Sequence, residues 1–161
     1  MRIVVIEDEN KTRNGIVNMI RQFTAHEVVG TAENGQEGVE LVRQARPDLI
    51  ISDIKMPVMD GLEMLQQLYD EKIKFNAILL TGYSDFEYAR KALQLQVVDY
   101  LLKPLDVEEL LKNLSAVETR IYNTRNTQMS PEQMIANYLD RRSGEREAVE
   151  PLLNEILHRC V

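Results

Sequence analysis

Leu49-Ile50-Ile51-Ser52-Asp53 decides how the rest of this chain is read: a short apolar run that ends on a carboxylate. A strand that is apolar on consecutive residues has both faces covered, the mark of a buried parallel sheet. The same pattern recurs on either side. Residues 3–6 form an apolar run rich in β-branched side chains and lead into Glu7-Asp8-Glu9; Ala77-Ile78-Leu79-Leu80 leads into Thr81; Val97-Val98-Asp99-Tyr100-Leu101-Leu102 leads into Lys103-Pro104. Val28 and Val29 mark a further strand, second in chain order, which ends near Thr31 and Glu33 and adds no chemical group to this set.

Helical patterns separate the strands. Ile16, Met19, Ile20 and Phe23 recur at helical spacing over about 10–23. Asn34 and Gly35 open a helix carrying Val39, Leu41, Val42 and Ala45, with Pro47 as its stop. Leu62, Leu65 and Leu68 mark a helix over about 60–71; Ala89, Ala92 and Leu93 one over about 85–95; Leu110, Leu111, Leu114, Val117 and Ile121 one over about 106–121. Five strands alternating with five helices predict an α/β domain with a parallel sheet and helices on both faces.

The composition narrows the function classes. The chain has 161 residues, 19 Lys+Arg against 26 Asp+Glu and a net charge of −7, with 44% hydrophobic and 28% charged residues. That is the balance of an ordinary globular chain, not of a disordered one. Phosphate-backbone binding needs clustered Lys and Arg, so the acidity argues against direct nucleic-acid binding and against an anionic membrane surface. No apolar run reaches the length of a membrane span, and acids at positions 7–9 come too early for a signal peptide. The single cysteine, Cys160, can form neither an internal disulfide nor a zinc site. The chain reads as cytoplasmic.

The pattern changes after Ile121. Asn123-Thr124-Arg125-Asn126-Thr127-Gln128 reads as a linker or a frayed helix end. Ser130-Pro131-Glu132-Gln133 is a helix start, and Met134, Ile135, Tyr138 and Leu139 form an apolar stripe. Ser143-Gly144 breaks that stripe; a second one, Leu152, Leu153, Ile156 and Leu157, follows Pro151. The expected division is 1–121 as one domain and 122–161 as a linker and helical extension. The extension is read as a hairpin packed on the domain, a linker toward an output domain, or a dimerisation element. Of the net charge, 14 basic against 20 acidic residues put −6 in the first part and 5 against 6 put −1 in the second.

In an open parallel sheet, ligands bind beyond the carboxyl ends of the strands. Glu7, Asp8 and Asp53, the Thr81 hydroxyl and the Lys103 ammonium all fall there. Each has a plainer alternative: an acid after a strand is commonly a turn residue or helix cap, Thr81-Gly82 a turn, Lys103-Pro104 a solvated loop. Their convergence on one edge is what argues for a site. Crowded carboxylates favour a hard cation with oxygen ligands such as Mg²⁺. A compact ammonium and a hydroxyl beside it suit stabilisation of a transferring phosphoryl group, and one carboxylate can serve as nucleophile, giving an aspartyl phosphate.

These residues resemble the receiver domain of bacterial two-component response regulators over residues 1 to about 121. Asp53-Ile54-Lys55-Met56-Pro57-Val58-Met59-Asp60-Gly61 is similar to that family's Asp-x-x-Met-Pro-x-Met-Asp-Gly loop. Gly82-Tyr83-Ser84-Asp85-Phe86-Glu87-Tyr88-Ala89-Arg90-Lys91-Ala92-Leu93 further resembles regulators with an AraC-type DNA-binding output domain. The resemblance implies a flavodoxin-like, doubly wound five-stranded parallel sheet of order 2-1-3-4-5, followed by the C-terminal helical extension.

The resemblance also implies roles. Asp53 would accept a phosphoryl group from a sensor histidine kinase. Glu7, Asp8 and Asp53 would hold Mg²⁺, with the Lys55 backbone carbonyl completing the protein ligands. Glu7 stands where the family often has Asp, which leaves direct or water-mediated binding open. Thr81 would donate to the phosphoryl oxygen, Lys103 would pair with it, and Lys103-Pro104 would be a cis peptide. Tyr100 would be the aromatic switch residue, with a half-buried strand tyrosine as the plain alternative. Gly82 would leave access to the phosphoryl group, and Lys55 and Tyr83 stand at positions that tune self-dephosphorylation. Phosphorylation would reshape the face formed by the 85–95 helix, the fifth strand and the last helix.

This implies a phosphoacceptor signalling domain and not an enzyme: it catalyses its own phosphotransfer and loses the group slowly. The output domain would lie outside these 161 residues. A stand-alone receiver acting by protein–protein contact or phosphorelay is the alternative, and a homodimer is left open. A nucleotide- or flavin-binding reading fares worse, because the chain has neither G-x-G-x-x-G nor G-x-x-x-x-G-K. An aspartyl-nucleophile phosphatase needs an acid two residues after the nucleophile, where Lys55 stands.

Overall fold

A computed structural model describes residues 1–82, 91–92, 94–95 and 97–127 of the chain. The chain divides into two units, 1–118 and 119–161. In chain order the elements are β1 (Arg2–Ile6), α1 (Asn10–Phe23), β2 (Glu27–Ala32), α2 (Gly35–Ala45), β3 (Leu49–Asp53), α3 (Gly61–Asp70), β4 (Ala77–Thr81), β5 (Asp99–Leu102) and α4 (Val107–Thr127); all but the last fall within the first unit, and α4 begins in it and ends in the second. The strands form one parallel five-stranded sheet in the order β2-β1-β3-β4-β5.

Successive strand side chains point to opposite faces of a sheet. Val4, Ile6, Ile50 and Leu79 accordingly join Val39 and Val42 of α2 and Met64, Leu65 and Leu68 of α3 in one buried cluster. Ile3, Val5 and Ile51 point to the other face; Ile16 and Ile20 of α1 and Leu110, Leu114 and Val117 of α4 are buried outside the first cluster. With both faces covered, chemistry is confined to strand ends and loops.

Local signals explain the boundaries. Asn34 Oδ1 accepts from the Glu37 N–H at 3.0 Å and caps α2. Asp60 and Glu63 form a reciprocal capping box at the start of α3, the two side chains accepting from each other's N–H at 2.8 and 2.9 Å. Gly61 follows because nothing larger fits: a Cβ there would collide with the Asp53 carbonyl oxygen and lie 3.0 Å from Ser52 Oγ. Its N–H instead bonds to the Ile54 carbonyl at 2.8 Å, closing the loop that begins at Asp53.

Two boundaries differ from the sequence expectation, whereas the second strand ends at Ala32, within the expected end near Thr31 and Glu33. β5 starts at Asp99, and Val97 and Val98 precede it. The polar stretch after Ile121 stays helical to Thr127, with Thr124 Oγ1 donating to the Arg120 carbonyl at 2.9 Å. The stripes at 134–139 and 152–157, Cys160 and most of the 85–95 segment lie outside the described residues. Among the described residues no helix is long and apolar enough to cross a membrane.

Candidate functional site

The parallel order sets the site. Glu7 follows the last residue of β1, Asp53 and Thr81 are the last residues of β3 and β4, and Lys103 follows the last residue of β5. Four neighbouring strands therefore deliver them to the same edge.

Lys103 binds the cluster together. Its Nζ lies 2.6 Å from Glu7 Oε2 and 2.9 Å from Asp53 Oδ2. Asp53 is 7% exposed; its other oxygen, Oδ1, accepts from the Ile54 N–H at 2.7 Å. Glu7 is fully buried. Its Oε1 accepts from the Glu9 N–H at 3.2 Å, while no donor is aligned on Oε2 despite the close Lys103 charge. Burial raises the Glu7 carboxyl above its ordinary pKa; the neighbouring Asp53 charge adds to this, and Lys103 and the Glu9 amide work against it. Burial also opposes the Lys103 charge, but the two carboxylates outweigh it, and its pKa is raised.

A divalent cation fits these residues. Carboxylate oxygens of Glu7, Asp8 and Asp53 all come within 4.8 Å of one another. Glu7 Oε2 is buried and met by the Lys103 ammonium at 2.6 Å, so the buried carboxylates are already arranged around positive charge. Asp8 is exposed and opens the cluster to solvent. The all-oxygen donor set is that of a hard ion such as Mg²⁺.

The remaining sequence candidates fall around this cluster. Thr81 is 9% exposed, and its carbonyl accepts from the Lys103 N–H at 2.8 Å. The Lys103–Pro104 peptide is cis. Lys55 is exposed in the loop after β3. Tyr100 lies in β5 and is 45% exposed; its N–H bonds to Asp99 Oδ1 at 2.8 Å. Gly82 is exposed, with nothing among the described residues within 4 Å of where a Cβ would stand, and Tyr83 lies outside the described residues.

Sequence reasoning missed Arg13. Its guanidinium is buried and donates to the Glu7 carbonyl at 2.6 Å, to Asn10 Oδ1, and to Glu33 Oε1 at 2.9 Å. Glu33, set aside as chemically silent, is therefore tied to the acidic loop. The only signal in the sequence was a cation three residues beyond Asn10 in a helix expected to face the core.

An open α/β sheet with a carboxylate cluster, an ammonium and a hydroxyl at its carboxyl edge defines a class of phosphoryl-handling domains. Comparison with known proteins makes the class specific. The family model of the response regulator receiver domain matches residues 3–115. The chain is 39% identical over 112 residues to the probable C4-dicarboxylate response regulator DctR of Priestia megaterium, covering 70% of this chain and 49% of that protein. It is 36% identical over 110 residues to the transcriptional regulatory protein HptR of Staphylococcus aureus, covering 68% and 43%. Among solved structures, the receiver domain of AraT, a response regulator from Geobacillus stearothermophilus, superposes with a TM-score of 0.70 at 36% identity over 77% of this chain and 97% of that one.

The chain belongs to the response regulator receiver family. It carries the receiver of a two-component response regulator, the part activated by phosphorylation. It spans about half the length of the curated relatives it matches.

Proposed function

We propose that Asp53 is the phosphoacceptor and that Glu7, Asp8 and Asp53, with the Lys55 backbone carbonyl, hold Mg²⁺. The observation that carries this reading is the gathering of Glu7, Asp8 and Asp53 carboxylate oxygens within 4.8 Å of one another at the strand ends, beside the Lys103 ammonium. A carboxylate oxygen of Asp53 attacks phosphorus. The new P–O bond forms as the P–N bond of the kinase's phosphohistidine breaks, and the electron pair returns to the imidazole nitrogen. Bound Mg²⁺ supplies positive charge for the phosphoryl oxygens. Lys103 supplies a second cation already 2.9 Å from Asp53 Oδ2, and Thr81 offers its hydroxyl from the neighbouring strand end.

Phosphorylation adds about two negative charges at Asp53. Thr81 and Tyr100 convert that charge into a change at the β5 face, with Tyr100 moving inward from its exposed position. The domain boundary is placed near residue 121, with 122–161 as linker and helical extension. The relatives' greater length supports a longer protein in which the receiver controls an output domain. The Gly82–Leu93 motif suggests that this output is an AraC-type DNA-binding domain; DNA contact then belongs to that domain, in the cytoplasm, and not to this chain.

Beryllofluoride, a phosphoryl mimic, tests site and switch together. With Mg²⁺ it is expected to give a bound ¹⁹F signal and shift amide resonances of Thr81 and Tyr100 in the wild-type chain, and to do neither in Asp53→Asn. Equal binding by that variant contradicts the assignment. The same sample, passed through size-exclusion chromatography with light scattering, reads whether activation makes a homodimer.

A further inference from the structure

We infer that Arg13 is a positioning residue for the metal site: its guanidinium fixes the peptide that joins Glu7 to Asp8. This rests on the reading of those acids as Mg²⁺ ligands. The Glu7 carbonyl belongs to that one peptide unit, and Arg13 Nη1 donates to it at 2.6 Å. Rotating this peptide moves both acids at once, so holding its oxygen sets the direction of Asp8 relative to Glu7.

Glu7 is held at each of its other polar groups. Its N–H bonds to the Ala32 carbonyl at 3.0 Å, and its Oε1 accepts from the Glu9 N–H. With the carbonyl taken by Arg13, the one acceptor of Glu7 left without an aligned donor is Oε2, which faces Asp53 and Lys103. The guanidinium fork is itself anchored. Nη2 reaches Asn10 at the start of α1 and Glu33, the residue after β2. A planar fork with several fixed donors can span such partners, whereas an ammonium cannot hold all of them in the same geometry. Arg13 is 7% exposed and Glu33 is in solvent, so the clamp ties a buried cation to a surface anchor. Partners behind the ligands of a metal site orient them, and their loss typically weakens metal binding by about 10–100-fold.

The test is Mg²⁺ titration by calorimetry of the wild-type chain, Arg13→Ala, Arg13→Lys, and the double variant Asn10→Ala/Glu33→Ala, each with its thermal unfolding in EDTA and in Mg²⁺. Arg13→Ala is expected to raise the Mg²⁺ dissociation constant about tenfold. Arg13→Lys restores charge without the fork and recovers only part of that loss. The double variant leaves Arg13 in place but frees it, so its affinity falls several-fold, which keeps the inference testable if Arg13→Ala does not fold. A merely structural role lowers Tm equally in EDTA and in Mg²⁺; a positioning role also shrinks the Mg²⁺-induced increase in Tm. Affinities within twofold of a Mg²⁺-binding wild-type chain overturn the inference alone. A wild-type chain that binds no Mg²⁺ overturns the site reading and this inference with it.

Discussion

Lys103 Nζ stands 2.6 Å from Oε2 of Glu7, a carboxylate with no exposed surface. The ammonium also reaches Asp53, so a single positive charge offsets two buried negative ones. The arrangement holds acids together before any metal arrives, and its removal should be felt as instability and not only as lost signalling.

Lys103→Met leaves Glu7 and Asp53 facing each other without that charge. Breaking a buried ion pair costs about 3–5 kcal/mol; with the Lys103 side chain partly in solvent and Asp53 near it, about 1–2 kcal/mol is expected here. Urea unfolding in EDTA near neutral pH reads the loss, and saturating Mg²⁺ should narrow it. Equal stability of the two proteins in EDTA contradicts this view of the pair.

Gly61→Ala tests the loop that carries Asp53. Its added Cβ meets the Asp53 carbonyl and Ser52 Oγ, both part of the buried end of β3. Overpacking of this kind costs about 1–3 kcal/mol. The backbone must shift to relieve it, so Mg²⁺ affinity should fall along with the denaturation midpoint.

Val58, in the same loop, is 82% exposed and has φ 69°. A β-branched side chain in the left-handed region is strained, by about 1–2 kcal/mol. Val58→Gly relieves that strain but loosens the unfolded chain, so a net gain of about 0.5–1 kcal/mol is expected from urea midpoints. A loss of stability would show that the Val58 side chain makes contacts worth more than the strain.

His26 gives the fold a pH dependence away from the site. Burial lowers its pKa from 6.5, the N-terminal ammonium adds to this, and Glu118 opposes it. The folded chain thus favours neutral imidazole. Its contribution is whole above about pH 6.5, declines as the unfolded chain takes up the proton, and levels off below the folded-state value. His26→Gln should flatten that part of the stability curve, measured by unfolding between pH 7.5 and about 5. An unchanged slope removes His26 as its source.

The strand ends were the legible part of the site. Glu7, Thr81 and Lys103 each follow an apolar run directly and Asp53 follows one after a single serine, so finding the strand found the residue. The start of α2 was legible for the same reason, since Asn34 adjoins what it caps. Arg13 and Glu33 were not, because 20 residues separate them and only the pairing of β1 with β2 joins them. The length of α4 was also hidden: beyond Ile121 its side chains are polar, and a helix continuing without an apolar stripe leaves no periodic trace. The ammonium bridge between Glu7 and Asp53 needed coordinates, since sequence placed Lys103 against an incoming phosphoryl group and not against the acids themselves.

The most direct measurement is phosphorylation itself. The wild-type chain is incubated with acetyl phosphate, with Mg²⁺ or with EDTA, and analysed by intact-mass spectrometry followed by peptide mapping. The expected result is one added phosphoryl group, dependent on Mg²⁺, mapped to Asp53 and absent from Asp53→Asn. Mg²⁺-independent labelling, or labelling that persists in Asp53→Asn, contradicts the account.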